Sequence, residues 1–349
     1  MKMCTMASER VVLFLVLFSG HVICEDQEVA SVSSHKTERK VGLPNESIRL
    51  GVFAVVDDNI GNNTATLEDY KFYVAGLLGG VNINLMEFTK PTVKLGLLGV
   101  HKLATEEKER ITTDGKVNFN AMYNVTQEIK NKELRAREAD IIYVLTKTTI
   151  LSGGKEAPGA AWVRGACTDN NIAIGNDFLW SYGGFDVFRQ NIAALLGGLS
   201  LECDSDGSDA FDECRRKHIM SHLKRIWINC YGHTSFSKWV PFYTMSGERI
   251  DKNEFCAFKM GNQSAKECSS SKKQNAENSS CEIYCCPAER GANDLADVSA
   301  YESPAGTTCR AASTDAEKGS CYGKQCKRRV ALLRYAFPGT DNHIPLDWN

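Results

Sequence analysis

From about Asn253 onward the chain loses the means to build a core. Cys256, Cys268, Cys281, Cys285, Cys286, Cys309, Cys321 and Cys326 lie there among Ser, Lys, Asn and Gly, with few apolar residues between them. Too little apolar surface is available in such a stretch to offset the entropy of ordering it, so disulfides must hold it. The preceding two hundred residues have the opposite character, with long apolar runs and few cysteines. A chain of 349 residues has room for both kinds of unit. The expectation is a core-built domain at 47–250, a Cys-rich domain at 251–330 and a tail at 331–349.

Within the first unit, strand and helix patterns alternate. Ile48 to Val56 is β-rich with period two, and Val93 to Val100 and Ile141 to Leu145 are buried-strand runs. Leu67 to Phe88 places Tyr70, Tyr73, Val74, Leu77, Leu78 and Val81 at helical spacing, and a second helix is expected near Ala121 to Asn131. Short strands at Ala161 to Val163 and Ile172 to Ile174 precede a helix at about Phe185 to Leu199. Strands alternating with helices predict an α/β fold, a mixed sheet with crossover helices.

The N-terminus reads as a secretory signal. A charged stretch ending Glu9-Arg10 is followed by the apolar run Val11 to Phe18 and a plausible cut after Cys24. That run is too short to span a bilayer, and no later segment is apolar enough to do so. Residues 25–46 are polar and aperiodic, a disordered lead-in. Removing Cys4 and Cys24 with the leader leaves an even set of cysteines, which in an oxidising compartment suits full pairing. Asn45, Asn62, Asn124, Asn262 and Asn278 each begin an N-x-S/T sequon, as a secreted glycoprotein would carry. The formal net charge of -2 gives no basic surface for nucleic acid. Neither a G-x-S-x-G elbow nor a phosphate-binding loop is present.

Three landmarks then occur in order. Gly159-Ala160-Ala161-Trp162-Val163 is followed by Gly165-Ala166-Cys167; Gln190 to Leu201 reads Q-N-I-A-A-L-L-G-G-L-S-L; and His218-Ile219-Met220-Ser221 follows the Cys203 to Cys214 loop. Together these resemble the reprolysin (adamalysin) type of metzincin metalloprotease, most like those secreted in tick saliva, with a degenerate H-E-x-x-H-x-x-G-x-x-H motif. Gly197 stands at the motif's glycine and Met220 at its methionine turn, which is not helical in that family. Gly306 to Cys309 and Cys321 to Cys326 resemble the end of the family's Cys-rich domain.

The resemblance implies a zinc endopeptidase, and the residues at the motif positions argue against one. A catalytic zinc needs three neutral imidazoles, two of them four residues apart on one helical face, and a water activated by metal and glutamate. Gln190, Ala194 and Ser200 stand at the ligand positions. Asn191 stands at the base, and an amide has no useful basicity at neutral pH. His218 and His222 are four apart and offer a substitute pair, with Asp212 or Glu213 as a helper, although surface histidines in a basic stretch are the simpler reading. Family members pair the Cys167 equivalent with a cysteine after F-S-P-C; Trp239 stands there, so the resemblance leaves Cys230 as the partner of Cys167 and Cys203 as that of Cys214. The expectation is a secreted, non-catalytic binder of a host extracellular or plasma protein, with no cofactor, or zinc if the family activity persists. The rival readings are an active metalloendopeptidase with an unorthodox metal site and a structural glycoprotein.

Overall fold

The computed structural model describes residues 2–4, 24–26, 47–61, 65–85, 88, 92–199, 203, 210–230, 245–268, 281–287, 298–310, 318–322 and 325–328. The leader's apolar run, nearly all of the lead-in, the tail, Ser200, Asn45, Asn62 and Asn278 lie outside them, as does the side chain of Cys230. No described helix is long and apolar enough to cross a membrane.

In chain order the first strands are β1 (Lys2–Cys4), β2 (Cys24–Asp26), β3 (Ser47–Val56), β4 (Thr92–Lys102), β5 (Thr112–Thr113), β6 (Lys116–Asn118), β7 (Ile141–Thr146), β8 (Ile150–Ser152), β9 (Lys155–Ala157), β10 (Gly159–Trp162) and β11 (Ile172–Asn176). Interleaved with them are α1 (Leu67–Leu85), α2 (Thr105–Ile111), α3 (Phe119–Lys132) and α4 (Leu134–Arg137). The main sheet runs β2-β1-β10-β11-β7-β3-β4. Strands β4, β3, β7 and β11 are parallel, while β10, β1 and β2 each run antiparallel to the neighbour before them. The fold is therefore mixed α/β. Every residue of β7 is buried, which is why its sequence is an unbroken apolar run rather than an alternating one.

Helix α1 covers one face of this sheet, and α3 lies on the other. Asn82 fixes α1 to β4: its Nδ2 donates to the Leu95 carbonyl at 2.8 Å, and its Oδ1 accepts from the Leu95 N–H at 2.7 Å. A buried amide bonded both ways carries no desolvation debt. A smaller sheet, β5-β6-β8-β9, turns at Asp114-Gly115 and Gly153-Gly154, all with positive φ, as two-residue hairpin turns require.

Helices α5 (Phe185–Leu195) and α6 (Glu213–Cys230) follow. The second overturns an expectation. His218 to Ser221 is not a turn but part of a continuous helix, because Ile219 and Leu223 recur at helical spacing and are fully buried. Met220 is half-buried against the same core. Cys203, ahead of this helix, is bonded to Cys214 in its first turn. Cys167 is also disulfide-bonded.

Helix α7 (Lys252–Met260) begins at an Asp251 cap and ends at Gly261, φ +61°. Beyond it lie β12 (Lys266–Glu267), β13 (Glu282–Cys286), β14 (Ser299–Glu302), β15 (Thr308–Arg310), β16 (Lys318–Tyr322) and β17 (Gln325–Arg328), in two three-stranded antiparallel sheets. Cys256–Cys285, Cys268–Cys286, Cys281–Cys321 and Cys309–Cys326 staple them. This small region is docked on the large one. Phe258 fills the space above Gly183, where any Cβ would lie 2.3 Å from its ring. Phe258 also meets Phe178 edge-on at 5.2 Å, and Gly247 donates its N–H to the Ala305 carbonyl at 2.8 Å.

Candidate functional site

Helix α5 is the element on which the motif positions lie. It starts after Gly184, and a fully buried Asp177 stands at that entrance, accepting from the Ser181 hydroxyl at 2.6 Å and from the Tyr73 hydroxyl. Burial pushes the Asp177 carboxyl above its usual range, against the pull of these donors. The helix ends because Gly197 takes φ +90°. The N–H of Gly198 reaches the Ala193 carbonyl at 2.7 Å and that of Gly197 the Ala194 carbonyl at 2.9 Å, the paired bonds of a Schellman stop. The loop after β10 completes the end, with Arg164 and Ala166 donating their N–H groups to the carbonyls of Ala194 and Leu195. The expected helix to Leu199 is thus four residues shorter.

Asn191 points into the protein, not into a cleft. It is fully buried, and its Nδ2 donates to the Ile174 carbonyl of β11 at 2.8 Å and to the Tyr143 hydroxyl of β7 at 3.1 Å. Its Oδ1 is buried with no partner. The Tyr143 hydroxyl is pushed far above its usual range by burial. The helix lies so close to the sheet that a Cβ on Gly159 would come within 2.4 Å of Val187 Cγ1 and 2.7 Å of Asn191 Nδ2. Asn191 therefore ties α5 to two strands at once.

Ala194 is also fully buried, its methyl part of the core beneath the sheet, and Gln190 is half-buried. His222 of α6 packs its ring onto Gly197, where a Cβ would sit 2.8 Å from that of the histidine. Its exposure is 7%, and its Nε2 has no partner. Burial, with the positive charges of Arg164 and Arg225, lowers its pKa to about 4, partly opposed by a hydrogen bond to the Arg164 backbone. At neutral pH this imidazole is uncharged and lies in a positive field.

These residues do not fit a zinc ion. Ala194 offers no donor, the Asn191 amide is committed to the sheet, and two guanidinium groups impose positive charge beside the Gly197 turn. The substitute pair expected from the sequence is His218 and His222. Among the described residues, no group of three possible ligand atoms within 4.8 Å of one another contains both. His218 faces Cys203 and Cys214 instead, and neither Asp212 nor Glu213 belongs to that group. Asp212 caps α6 by accepting from the Arg215 N–H at 2.8 Å, and Glu213 pairs with Lys217 at 2.9 Å.

The structural role of His222 and Arg164 was missed from the sequence. The only signal available was that His222 continues the apolar spacing of Ile219 and Leu223.

No protein-family model matches the chain, and no curated protein matches it. Among solved structures it is similar to metalloproteinase-II from Bacteroides fragilis, at 12% identity and TM-score 0.34, over 52% of this chain and 56% of that one. It is also similar to archaemetzincin from Methanopyrus kandleri, at 14% identity and TM-score 0.33, over 50% of this chain and 96% of that one. The chain spans little more than half the length of the first.

Proposed function

We propose that this protein is a secreted metzincin-like, reprolysin-type homologue that has given up zinc catalysis and binds other extracellular proteins. The observation that carries the first half is the state of α5. Ala194 and Asn191 are fully buried in packing and hydrogen-bonding roles. A helix whose central ligand position and base position are both filled core positions is retained for stability.

For binding, the supporting feature is the outer edge of β10. It pairs antiparallel with β1, in the register Met3 with Trp162 and Cys4 with Ala161. If residues 1–24 leave as a signal peptide, that edge is freed to take an extended segment of a partner by strand addition. The resemblance to salivary proteases points to a host plasma or cell-surface protein as the partner.

The test uses the secreted, glycosylated chain. Its N-terminus is mapped, its zinc measured by elemental mass spectrometry after mild dialysis, and its binding measured on immobilised plasma proteins. The expected result is zinc well below one per chain with saturable binding to a partner. Near-stoichiometric zinc with chelator-sensitive proteolysis would overturn the non-catalytic reading. Metal-free protein with no saturable partner would favour a structural glycoprotein.

A further inference from the structure

A second place in the molecule gathers metal-ligating atoms. Cys203 Sγ, Cys214 Sγ and a ring nitrogen of His218 lie within 4.8 Å of one another. Cys214 and His218 are four residues apart on α6, so the helix itself holds them on one face. Cys203 is brought across from the other end of the 203–214 loop, its Cα 5.7 Å from that of Cys214. Cys203 is buried, whereas Cys214 and His218 are half-exposed, so the cluster has a sheltered floor and an open side. As the chain stands the two sulfurs are bonded to each other, and a disulfide sulfur is not a thiolate ligand.

We propose that the Cys203–Cys214 disulfide masks a Cys2His site for a divalent cation of the zinc class, opened by thiol reduction. A dithiol reductant transfers two electrons and two hydrogens to the pair. The S–S bond breaks, two thiols form, and the reductant becomes a cyclic disulfide. On binding, the cation displaces the two thiol protons to solvent and takes a lone pair of the His218 ring. Zinc with two thiolates and an imidazole needs donors roughly 3.5–3.8 Å apart, from Zn–S of about 2.3 Å and Zn–N of about 2.1 Å. A fourth position would be open on the side of the half-exposed Cys214 and His218. Charge also favours the opened site: two thiolates cancel the cation's charge, and the thiolate of Cys214 lies in the first turn of a helix, where anions are favoured. This site is separate from the α5 motif positions and stands whether or not the binding proposal above holds.

The experiment opens disulfides of the intact secreted protein with graded amounts of a trialkylphosphine, which ends as the phosphine oxide with oxygen from water and does not itself supply thiols. Differential alkylation reports which bonds have opened, and native mass spectrometry counts zinc at each step. One zinc per chain should appear in step with opening of Cys203–Cys214 and not before. His218→Ala and the more conservative His218→Gln should each weaken that uptake at least about tenfold, as loss of a ligand does more than the 10–100-fold loss of an outer-shell partner. His222→Ala should leave it unchanged, and Cys203→Ser/Cys214→Ser should abolish it. The other thiol cluster, Cys281, Cys309 and Cys321, contains no histidine, so any zinc it takes after its own disulfides open persists in the His218 variants. Opening of Cys203–Cys214 with no gain of zinc, uptake unaffected by both His218 substitutions, or failure of this disulfide to open before the fold is lost would each overturn the proposal.

Discussion

Placing a histidine at residue 194 by Ala194→His is a direct probe of how tightly α5 is packed. The residue is 0% exposed, and its neighbours Ala193, Leu195 and Leu196 are all buried in the same cluster. An imidazole adds five ring atoms to that space. Overpacking a filled core costs about 1–3 kcal/mol, and a buried ring nitrogen without a partner costs about 1–3 kcal/mol more. The variant should therefore lose about 2–6 kcal/mol. For a unit of this size each kcal/mol moves Tm by about 2–4 °C, so about 4 kcal/mol predicts a fall of roughly 8–16 °C. Gln190→His serves as the control, because residue 190 is half-buried and its ring can turn outward; its Tm should stay close to that of the parent. Both are read by thermal unfolding followed by circular dichroism, with and without added zinc. A Tm for Ala194→His within about 2 °C of the parent, or one restored by zinc, would refute the reasoning, because it would mean a ligand-sized space survives beside residue 194.

Three further outcomes follow from the same geometry. Gly159→Ala should destabilise by about 1–3 kcal/mol, because its Cβ would meet Val187 Cγ1 at 2.4 Å, Asn191 Nδ2 at 2.7 Å and the Ile174 carbonyl at 2.9 Å; urea unfolding checks this. His222 has its pKa lowered to about 4 in the fold, so the unfolded chain takes up a proton near pH 6.5 that the folded chain refuses. Its contribution is intact above pH 6.5 and fades as pH falls toward 4, a loss of up to about 3 kcal/mol; His222→Gln should flatten that part of the pH–stability curve. Of the described sequons, Asn262 is exposed in an Asx turn, its Oδ1 accepting from the Ser264 N–H at 2.9 Å, whereas Asn124 lies within α3 and its Thr126 is fully buried. Glycopeptide mass spectrometry should find Asn262 more heavily occupied than Asn124.

How far residues alone reached depended on whether local pattern and tertiary environment agreed. The strands β3, β4 and β7 and the helices α1 and α3 carried unambiguous periodicity and lie within a few residues of where it put them. Helix α6 carried periodicity just as plain, with Ile219, Leu223 and Ile226 at helical spacing, but the likeness of His218 to Ser221 to a methionine turn outweighed it. The small β5-β6-β8-β9 sheet went unread although Asp114-Gly115 and Gly153-Gly154 are strong hairpin signals, because its strands are two or three residues long. At the motif, chemistry was legible and geometry was not. That Gln190, Asn191 and Ala194 make a poor ligand set is a matter of side-chain inventory. That Asn191 bonds to Tyr143 and Ile174, or that His222 rests on Gly197, depends on residues 17 to 48 positions apart in the chain and had no local signature.

The seat of Phe258 over Gly183, together with the Gly247–Ala305 bond, has a consequence for how such a chain can change over time. A cysteine-stapled module joined by a loose tether could be lost, duplicated or exchanged between genes while the rest of the protein went on folding. Here the module's first helix forms part of the roof over the α5 entrance, and cutting the chain near residue 250 would leave an uncovered aromatic surface on one piece and an unmoored helix on the other. The two parts are bound to be inherited, expressed and altered as one.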